Sequence, residues 1–283
     1  VTAPAATLVA TDLDRTMIYS RAASAADPSD DMLCVEWLDG QELSYLTARS
    51  AELLRDLTRR AAVVPVTTRT VEQYQRIHLP GGPHSPAVVA NGGTVLWDGT
   101  ADPEWIDIRS RRMARDRAAA LDEVAHVLFT GILIGEDTSW IRKRRIADGL
   151  FCYLVVEPAE QPADALAILQ LWAGERGWNV SQQGRKIYAM PNAVDKASAL
   201  AYVRERLIAE DRLAPDAPLL AAGDGALDAV MLEAADRAIR PAHGELHQLG
   251  WTSNGLTVTT VSGIAAGEQI LDWFHGLVGP VPG

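Results

Sequence analysis

Short, uniformly apolar runs alternate along this chain with longer stretches of helical spacing. The first run, TLVAT at residues 7–11, reads as a buried strand and meets Asp12 at its end. A second, AAVVPVTTRT, ends as a strand at Thr67, and a third, PAVVANGG, ends at Asn91. Between the first two, residues 44–60 place Leu46, Leu53, Leu54 and Leu57 at helical spacing. TVEQYQRIHL continues as a helix starting near Thr70. Apolar strands without alternation, separated by helices, predict a parallel sheet covered on both faces. Residues 17–47 read as irregular, with Ser, Ala, Asp and Pro through SRAASAADPSDD, a long excursion that suggests a flap or mobile loop.

From Thr94 to Ala189 the pattern changes. It predicts strands near 103–108, 140–146, 150–157, 178–182 and 185–189, and helices near 111–129 and 162–177. Short turns at Asp148-Gly149 and Gln183-Gly184 join neighbouring strands as antiparallel hairpins. The parallel pattern then resumes: a helix over 195–210, a strand ending at Gly223 and a helix over 226–235. Strands near 237–240 and 256–261 and a helix over 263–277 complete it. The predicted fold class is α/β, a Rossmann-like parallel sheet core with helices on both faces, plus an inserted α+β module. The core comprises 1–93 and 190–283, and the insert 94–189. No internal repeats are visible.

A chain of 283 residues can form one large domain or two modest ones. The formal net charge of -11 argues against nucleic acid as a partner, because phosphate backbones reward basic surfaces. A small anionic substrate stays open, since the potential in a cleft can oppose the global sign. Cys34 and Cys152 have no metal-type spacing, so neither a disulfide framework nor a zinc site is expected. No apolar run approaches the ~18 residues of a membrane span. The first ten residues carry no basic segment ahead of a long apolar one, so a cytoplasmic protein is the expectation. Oligomeric state is not legible. Basic residues divide into 23 Arg and only 3 Lys, which makes each lysine informative.

Ligands of open parallel sheets bind outside the carboxyl ends of the strands, and here every core strand ends in polar residues. The first delivers Asp12 and Asp14, the second Thr67, Thr68 and Arg69, the third Asn91, and the strand at 217–222 delivers Asp224 and Asp228. Four carboxylates converging on one point repel one another. A divalent cation resolves this, and an all-oxygen set without His or Cys suits Mg²⁺. Thr67 can donate a hydroxyl and Lys196 a point charge, which together with the cation make a receptor for a phosphoryl group. Asp12 is then placed as a carboxylate nucleophile and Asp14 as a proton donor.

The ordered set DLDRT, VTTR, a lysine and GDGALD resembles the haloacid dehalogenase superfamily of phosphohydrolases. The insertion between the second and third motifs matches the group with a type-II cap. The strand and helix pattern of that cap is similar to the sucrose-phosphate and mannosyl-3-phosphoglycerate phosphatase branch. The form TDLDRTMIYS is also similar to members encoded in bacterial tellurium-resistance-type stress clusters. The resemblance implies a Mg²⁺-dependent phosphomonoester hydrolase with a small phosphorylated substrate, a sugar phosphate by analogy. It implies Asp12 as the aspartyl-phosphate nucleophile and Asp14 as acid/base, with the Asp14 backbone carbonyl on Mg²⁺. Thr67 and Lys196 would hold phosphoryl oxygens, Asp224 would bind Mg²⁺, and Thr16 would brace the loop after the nucleophile. Asp228 would bind metal-linked water or orient Lys196. Thr16, Thr68, Arg69, Asn91 and Arg15 complete the candidate substrate contacts, and 94–189 becomes a specificity cap.

Several residues keep competing readings. Lys186 rivals Lys196, but it sits in a cap hairpin whereas Lys196 opens a core helix. Leu227 stands where the family usually has Asn, and Arg15 where Gly is commonest. The basic run WIRKRR at 140–145 is either a solvated face or, through Arg142 or Arg144, an anion contact. Two other functions stay open: a phosphosugar mutase of a related capped branch, and a catalytically weakened domain that only binds.

Overall fold

A computed structural model of the chain describes residues 3–25, 31–135 and 137–279. In chain order the first part holds β1 (Leu8–Thr11), α1 (Arg21–Ser24), β2 (Met32–Leu38), β3 (Gln41–Thr47), α2 (Ala48–Arg60), β4 (Ala62–Pro65) and α3 (Val71–Gln75). β5 (Ala87–Val89), β6 (Thr94–Trp97) and β7 (Thr100–Ala101) follow. The insert holds α4 (Pro103–Arg115), α5 (Leu121–Thr130), β8 (Ile141–Ala147), β9 (Phe151–Val156), α6 (Ala165–Gly174), β10 (Trp178–Gln183) and β11 (Lys186–Pro191). The last part holds α7 (Lys196–Ala209), β12 (Leu219–Ala222), α8 (Ala229–Glu233), β13 (Arg237–Arg240), α9 (Glu245–Gln248), β14 (Leu256–Val258) and α10 (Ile264–Leu277).

The core sheet has the order β14-β13-β12-β1-β4, and every neighbouring pair is parallel. β1 lies between β12 and β4 and is fully buried, which is why its four residues are apolar or small without alternation. The chain adds β4 on one side of β1 and, after the insert, β12 on the other. The order therefore reverses at β1, and a crevice opens at its carboxyl end. On one face, Leu54 and Leu57 of α2 and Ile270, Leu271 and Phe274 of α10 pack with Val9, Val63, Leu220 and Ile239. α2 buries Ser50, Ala51, Leu54 and Leu57, and Thr47 caps it by accepting from the Ser50 N–H. α8 packs on β12 and β13, and α7 packs on α8, β5 and β6.

The chain divides into Val1–Asp102 with Lys196–Gly283, and Pro103–Asp195. The insert thus begins and ends later than the sequence pattern places it. β6 pairs antiparallel with β5 and β7 with β6, so residues 94–101 stay with the core. At the other end β11 runs to Pro191 against Trp178 of β10. The insert's own sheet has the order β10-β11-β9-β8, antiparallel throughout. α5 covers β9 and α6 covers β10.

Several elements depart from the sequence reading, β6 and β7 among them, where no strand was expected. The segment 17–47, read as irregular, contains the β2–β3 hairpin, although residues 26–30 lie outside the described residues. Asp39 and Gly40 form its two-residue turn, with φ of 51° and 77°, between the paired Leu38 and Gln41. That is the Asp-Gly chemistry of a tight hairpin. A further departure is at 103–108, where a strand was expected and the first part of α4 (Pro103–Arg115) stands instead. Pro103 occupies the first helical position, and Trp105 and Arg109 are buried four residues apart while Ile106 is exposed. No helix among the described residues is long and apolar enough to cross a membrane.

The α2 packing makes a direct prediction. Leu54 is fully buried against the sheet, so Leu54→Ala leaves a cavity and costs about 2–5 kcal/mol. Urea unfolding should show the lower midpoint with an unchanged slope.

Candidate active site

Register brings the carboxyl ends of β1 and β12 level. Thr11 pairs with Ala222, and the Asp12 N–H donates to the Ala222 carbonyl at 2.9 Å. Asp12 and Asp224 therefore leave neighbouring strands side by side. Lys196, the first residue of α7, is 1% exposed. Its Nζ donates to Asp12 Oδ1 at 2.7 Å and also to Asp228 Oδ1. Asp228 Oδ2 accepts from the backbone N–H groups of Asp224 at 3.0 Å and Gly225 at 2.8 Å. Asp228 thus ties the turn after β12 and orients Lys196 at once. The rival Lys186 lies in the insert, its Nζ 5.6 Å from the centre of the Tyr153 ring.

Close approach in this corner depends on two glycines. A Cβ on Gly223 would lie 2.5 Å from Asp228 Cβ. A Cβ on Gly244, whose φ is 87°, would lie 2.5 Å from Asp224 Oδ2. Neither position can carry a side chain without pushing a carboxylate aside.

The loop after Asp12 is folded back on itself. The Leu13 carbonyl accepts from the N–H groups of Thr16 at 3.2 Å, Met17 at 2.9 Å and Ile18 at 2.8 Å. The Thr16 hydroxyl is buried and lies 3.5 Å from Asp12 Oδ2. Arg15 takes the left-handed conformation with φ of 62°, and its Nε lies 3.7 Å from Asp224 Oδ2. His243, which no sequence motif marked, supports this loop. Its Nε2 donates to the Arg15 carbonyl at 2.8 Å and its Nδ1 accepts from the Gly263 N–H at 3.2 Å. Both contacts together require the neutral Nε2–H tautomer, and burial, with the Arg15 charge nearby, lowers the His243 pKa in the same sense.

The Asp14 carboxylate is paired with Arg69. Arg69 Nε donates to Asp14 Oδ2 at 2.7 Å and its Nη2 to Asp14 Oδ1 at 2.8 Å. A third nitrogen, Nη1, donates to Glu36 Oε1 at 2.7 Å. Arg69, grouped from sequence with the substrate contacts, has its guanidinium directed at these two carboxylates. Thr67 is fully buried, and its Oγ1 accepts from the Arg69 N–H at 3.2 Å. The Asn91 N–H donates to the Thr67 carbonyl at 2.9 Å, with Asn91 at φ of 57°. Thr68 is half-buried between them in sequence. Leu227 lies half-buried in the turn at Ala226–Asp228, where the N–H of Ala226 donates to Glu245 Oε2 at 2.8 Å.

In the insert, the basic run serves local structure. Arg142 pairs with Glu160 at 2.7 Å. Arg144 Nε donates to the Phe129 carbonyl at the end of α5, also at 2.7 Å.

The electrostatics of the core site are unbalanced. Burial, together with Asp228 and Asp14, pushes the Asp12 carboxyl from 3.8 to about 7 despite the adjacent Lys196. Burial, Asp12 and Asp228 push Asp224 to about 8, against the pull of Arg15 and Lys196. Burial works against the charge on Lys196, but Asp12 and Asp228 outweigh it and raise its pKa. One ammonium group does not offset this much buried negative charge. Asp12, Asp224 and Asp228 each place a carboxylate oxygen within 4.8 Å of the others. Asp228 is already engaged at both oxygens, so the remaining acceptor capacity lies on Asp12 Oδ2 and Asp224. An all-oxygen pair short of positive charge fits a hard divalent cation.

No family model matches the sequence, and no curated protein matches it. The fold has counterparts among solved structures. The sucrose-phosphatase of Synechocystis sp. PCC6803 has a TM-score of 0.65 at 14% identity, with 96% of this chain and 98% of that one covered. A trehalose-6-phosphate phosphatase related protein has a TM-score of 0.53 at 19% identity, covering 96% and 98%. A haloacid dehalogenase-like hydrolase of Bacillus subtilis has a TM-score of 0.55 at 12% identity, covering 98% and 94%. The chain therefore has the fold of haloacid dehalogenase-type proteins over almost its whole described length, the insert included.

The charge imbalance fixes a pH dependence. Unfolded carboxyls titrate near 3.8, whereas Asp12 and Asp224 titrate at about 7 and about 8 in the cation-free fold. The folded state then binds more protons than the unfolded one across that window, so these groups cost stability as pH rises, fully so above about pH 8. In EDTA, Asp224→Asn should therefore gain melting temperature relative to wild type between about pH 5 and 8. Millimolar Mg²⁺ should stabilise wild type more than the variant and reduce or reverse that difference, as read by calorimetry.

Proposed function

We propose that this chain is a Mg²⁺-dependent phosphatase of the haloacid dehalogenase type, cytoplasmic and acting on a small phosphorylated metabolite. A sugar phosphate is the substrate class favoured by its likeness to a sucrose-phosphatase and a trehalose-6-phosphate phosphatase related protein. The observation that carries this reading is the buried Lys196 ammonium joined to Asp12 and Asp228, with Asp224 beside them.

In this reading an Asp12 carboxylate oxygen attacks phosphorus, and the bond from phosphorus to the ester oxygen breaks. Asp14 gives a proton to the departing oxygen. The Asp14 carboxylate then takes a proton from water, which attacks the acyl phosphate and releases inorganic phosphate and Asp12. Lys196 and the Thr67 hydroxyl bind non-bridging oxygens, where negative charge spreads in the transition state. Mg²⁺, when bound, would be held by the Asp12 and Asp224 carboxylates and the Asp14 carbonyl, and would supply further positive charge to those oxygens. Asp228 acts through Lys196, since its oxygens are engaged by that side chain and by two backbone N–H groups. Thr16 steadies the loop, and Thr68, Asn91 and Arg15 are assigned to the rim that meets the substrate. The unit Pro103–Asp195 is assigned the part of a cap that selects the substrate.

A panel of phosphorylated sugars, polyols and nucleotides, assayed for phosphate release with Mg²⁺, tests this directly. Turnover should vanish in EDTA. Asp12→Asn should lower it by at least about 10³-fold, as expected when the nucleophile of a covalent mechanism is lost. Equal rates in wild type and Asp12→Asn would remove the nucleophile assignment.

A further inference from the structure

The β2–β3 hairpin places one carboxylate inside the protein. The Glu36 side chain is 2% exposed. It sits beside a register irregularity of β2, between Cys34 and Trp37. A buried carboxylate is costly unless its oxygens are fully engaged. Glu36 meets that condition: Oε2 accepts from Ser44 Oγ at 2.6 Å, and Oε1 accepts from Arg69 Nη1 at 2.7 Å. Arg76 Nη2 lies 3.5 Å from the same Oε1. The hairpin supplies both Glu36 and Ser44, and Arg69 Nη2 also reaches Ser44 Oγ at 3.3 Å.

Arg69 links this buried pair to a different kind of group. Its side chain is 14% exposed, whereas that of Asp14 is 48% exposed. A half-solvated carboxylate needs no partner for its own hydration. Yet Arg69 presents a two-nitrogen edge to it, a fork geometry that fixes the plane of the carboxylate as well as its distance. The Arg69 backbone N–H meanwhile holds the Thr67 hydroxyl. One residue thus touches both a proposed phosphoryl-binding group and the proposed proton carrier, and its own orientation is set by the hairpin.

We propose that Glu36 and Arg69 are positioning residues: the β2–β3 hairpin, through the buried Glu36 carboxylate, holds the Arg69 fork that sets the Asp14 side chain for proton transfer. This rests on the phosphatase reading for its functional consequence, though not for the relay itself. Proton transfer to the leaving oxygen requires Asp14 at hydrogen-bonding distance and in the right plane. An alkoxide leaving group depends on that proton, whereas p-nitrophenolate leaves readily without it. Loss of the relay therefore penalises alkyl esters selectively.

Two measurements test it. In the first, kcat/KM is taken for p-nitrophenyl phosphate and for the best alkyl phosphate of the panel, in wild type, Glu36→Gln and Arg69→Lys. The alkyl-to-aryl ratio should fall about tenfold in both variants, a part of the ~10²–10⁴-fold contribution typical of general acid–base catalysis. Lysine does not rescue because it lacks the fork. The ratio is internal to each preparation, so a smaller folded fraction cancels, and an unchanged ratio overturns the catalytic role. In the second, the melting-temperature shifts of Glu36→Gln, Asp14→Asn and the double variant are compared. They should be non-additive, because both carboxylates share Arg69, and become additive in an Arg69→Met background. Additivity with Arg69 intact overturns the relay. Absence of any turnover in wild type overturns the phosphatase reading and leaves the relay to be decided by the cycle alone.

Discussion

A buried ammonium group held between two carboxylates is the contact on which the rest of this molecule turns. Lys196, Asp12 and Asp228 come from the start of α7, the end of β1 and the turn after β12. Burying one such charge alone costs several kcal/mol, and removing one partner of a buried pair typically costs about 3–5 kcal/mol. The triad is therefore a strict geometric requirement. It is met only if β1 and β12 are adjacent and in register, and if α7 begins where the chain returns from the insert. The parallel order β12-β1-β4 and the placement of the insert are thus conditions for one salt-bridged cluster as well as features of topology.

That cluster is deliberately short of positive charge. Lys196 cannot hold both Asp12 and Asp224 in their ordinary range, and the two other nearby cations are committed or distant. Arg69 faces Asp14 and Glu36, and Arg15 stands 3.7 Å from Asp224 while half-exposed to solvent. An exposed pair at such a distance is worth about 0–1 kcal/mol, too little to settle a carboxylate whose burial raises it by this much. The unmet negative charge is what gives the site its appetite for a hard divalent cation.

The parts of this arrangement legible in the sequence are those carried by one strand or one motif. Buried parallel strands are continuous apolar runs, so β1, β4 and β12 and the acids at their ends stand out. The hairpin did not, because its inward positions include Glu36 and Ser44, whose polarity breaks the alternation that would reveal a half-buried strand. The Asp39-Gly40 turn was the available signal. α4 misled for the opposite reason: Trp105, Ile106 and Ile108 are apolar, and only the exposure of Ile106 beside buried Trp105 and Arg109 exposes the helical period. Glu36, His243 and Gly244 belong to no local pattern. They matter through partners distant in sequence (Arg69, Arg15 and Asp224), and single-sequence spacing carries no record of such pairs.

Arg15 shows how backbone and charge divide the work in the nucleophile loop. A non-glycine residue in the left-handed region costs roughly 1–2 kcal/mol. The long, half-exposed contact with Asp224 returns at most about 1 kcal/mol and so does not set this conformation. The backbone does: the Arg15 N–H donates to the Ile18 carbonyl at 2.8 Å, and the Arg15 carbonyl accepts from His243 at 2.8 Å. Each bond contributes about 1 kcal/mol net, and leaving the carbonyl of buried Ile18 unmet would cost more. The loop would therefore keep its shape with glycine at this position, and the arginine is tolerated by the turn and not required by it. Its guanidinium is then not needed to hold the turn. It is directed toward Asp224, whose carboxyl is pushed up by burial and by Asp12 and Asp228.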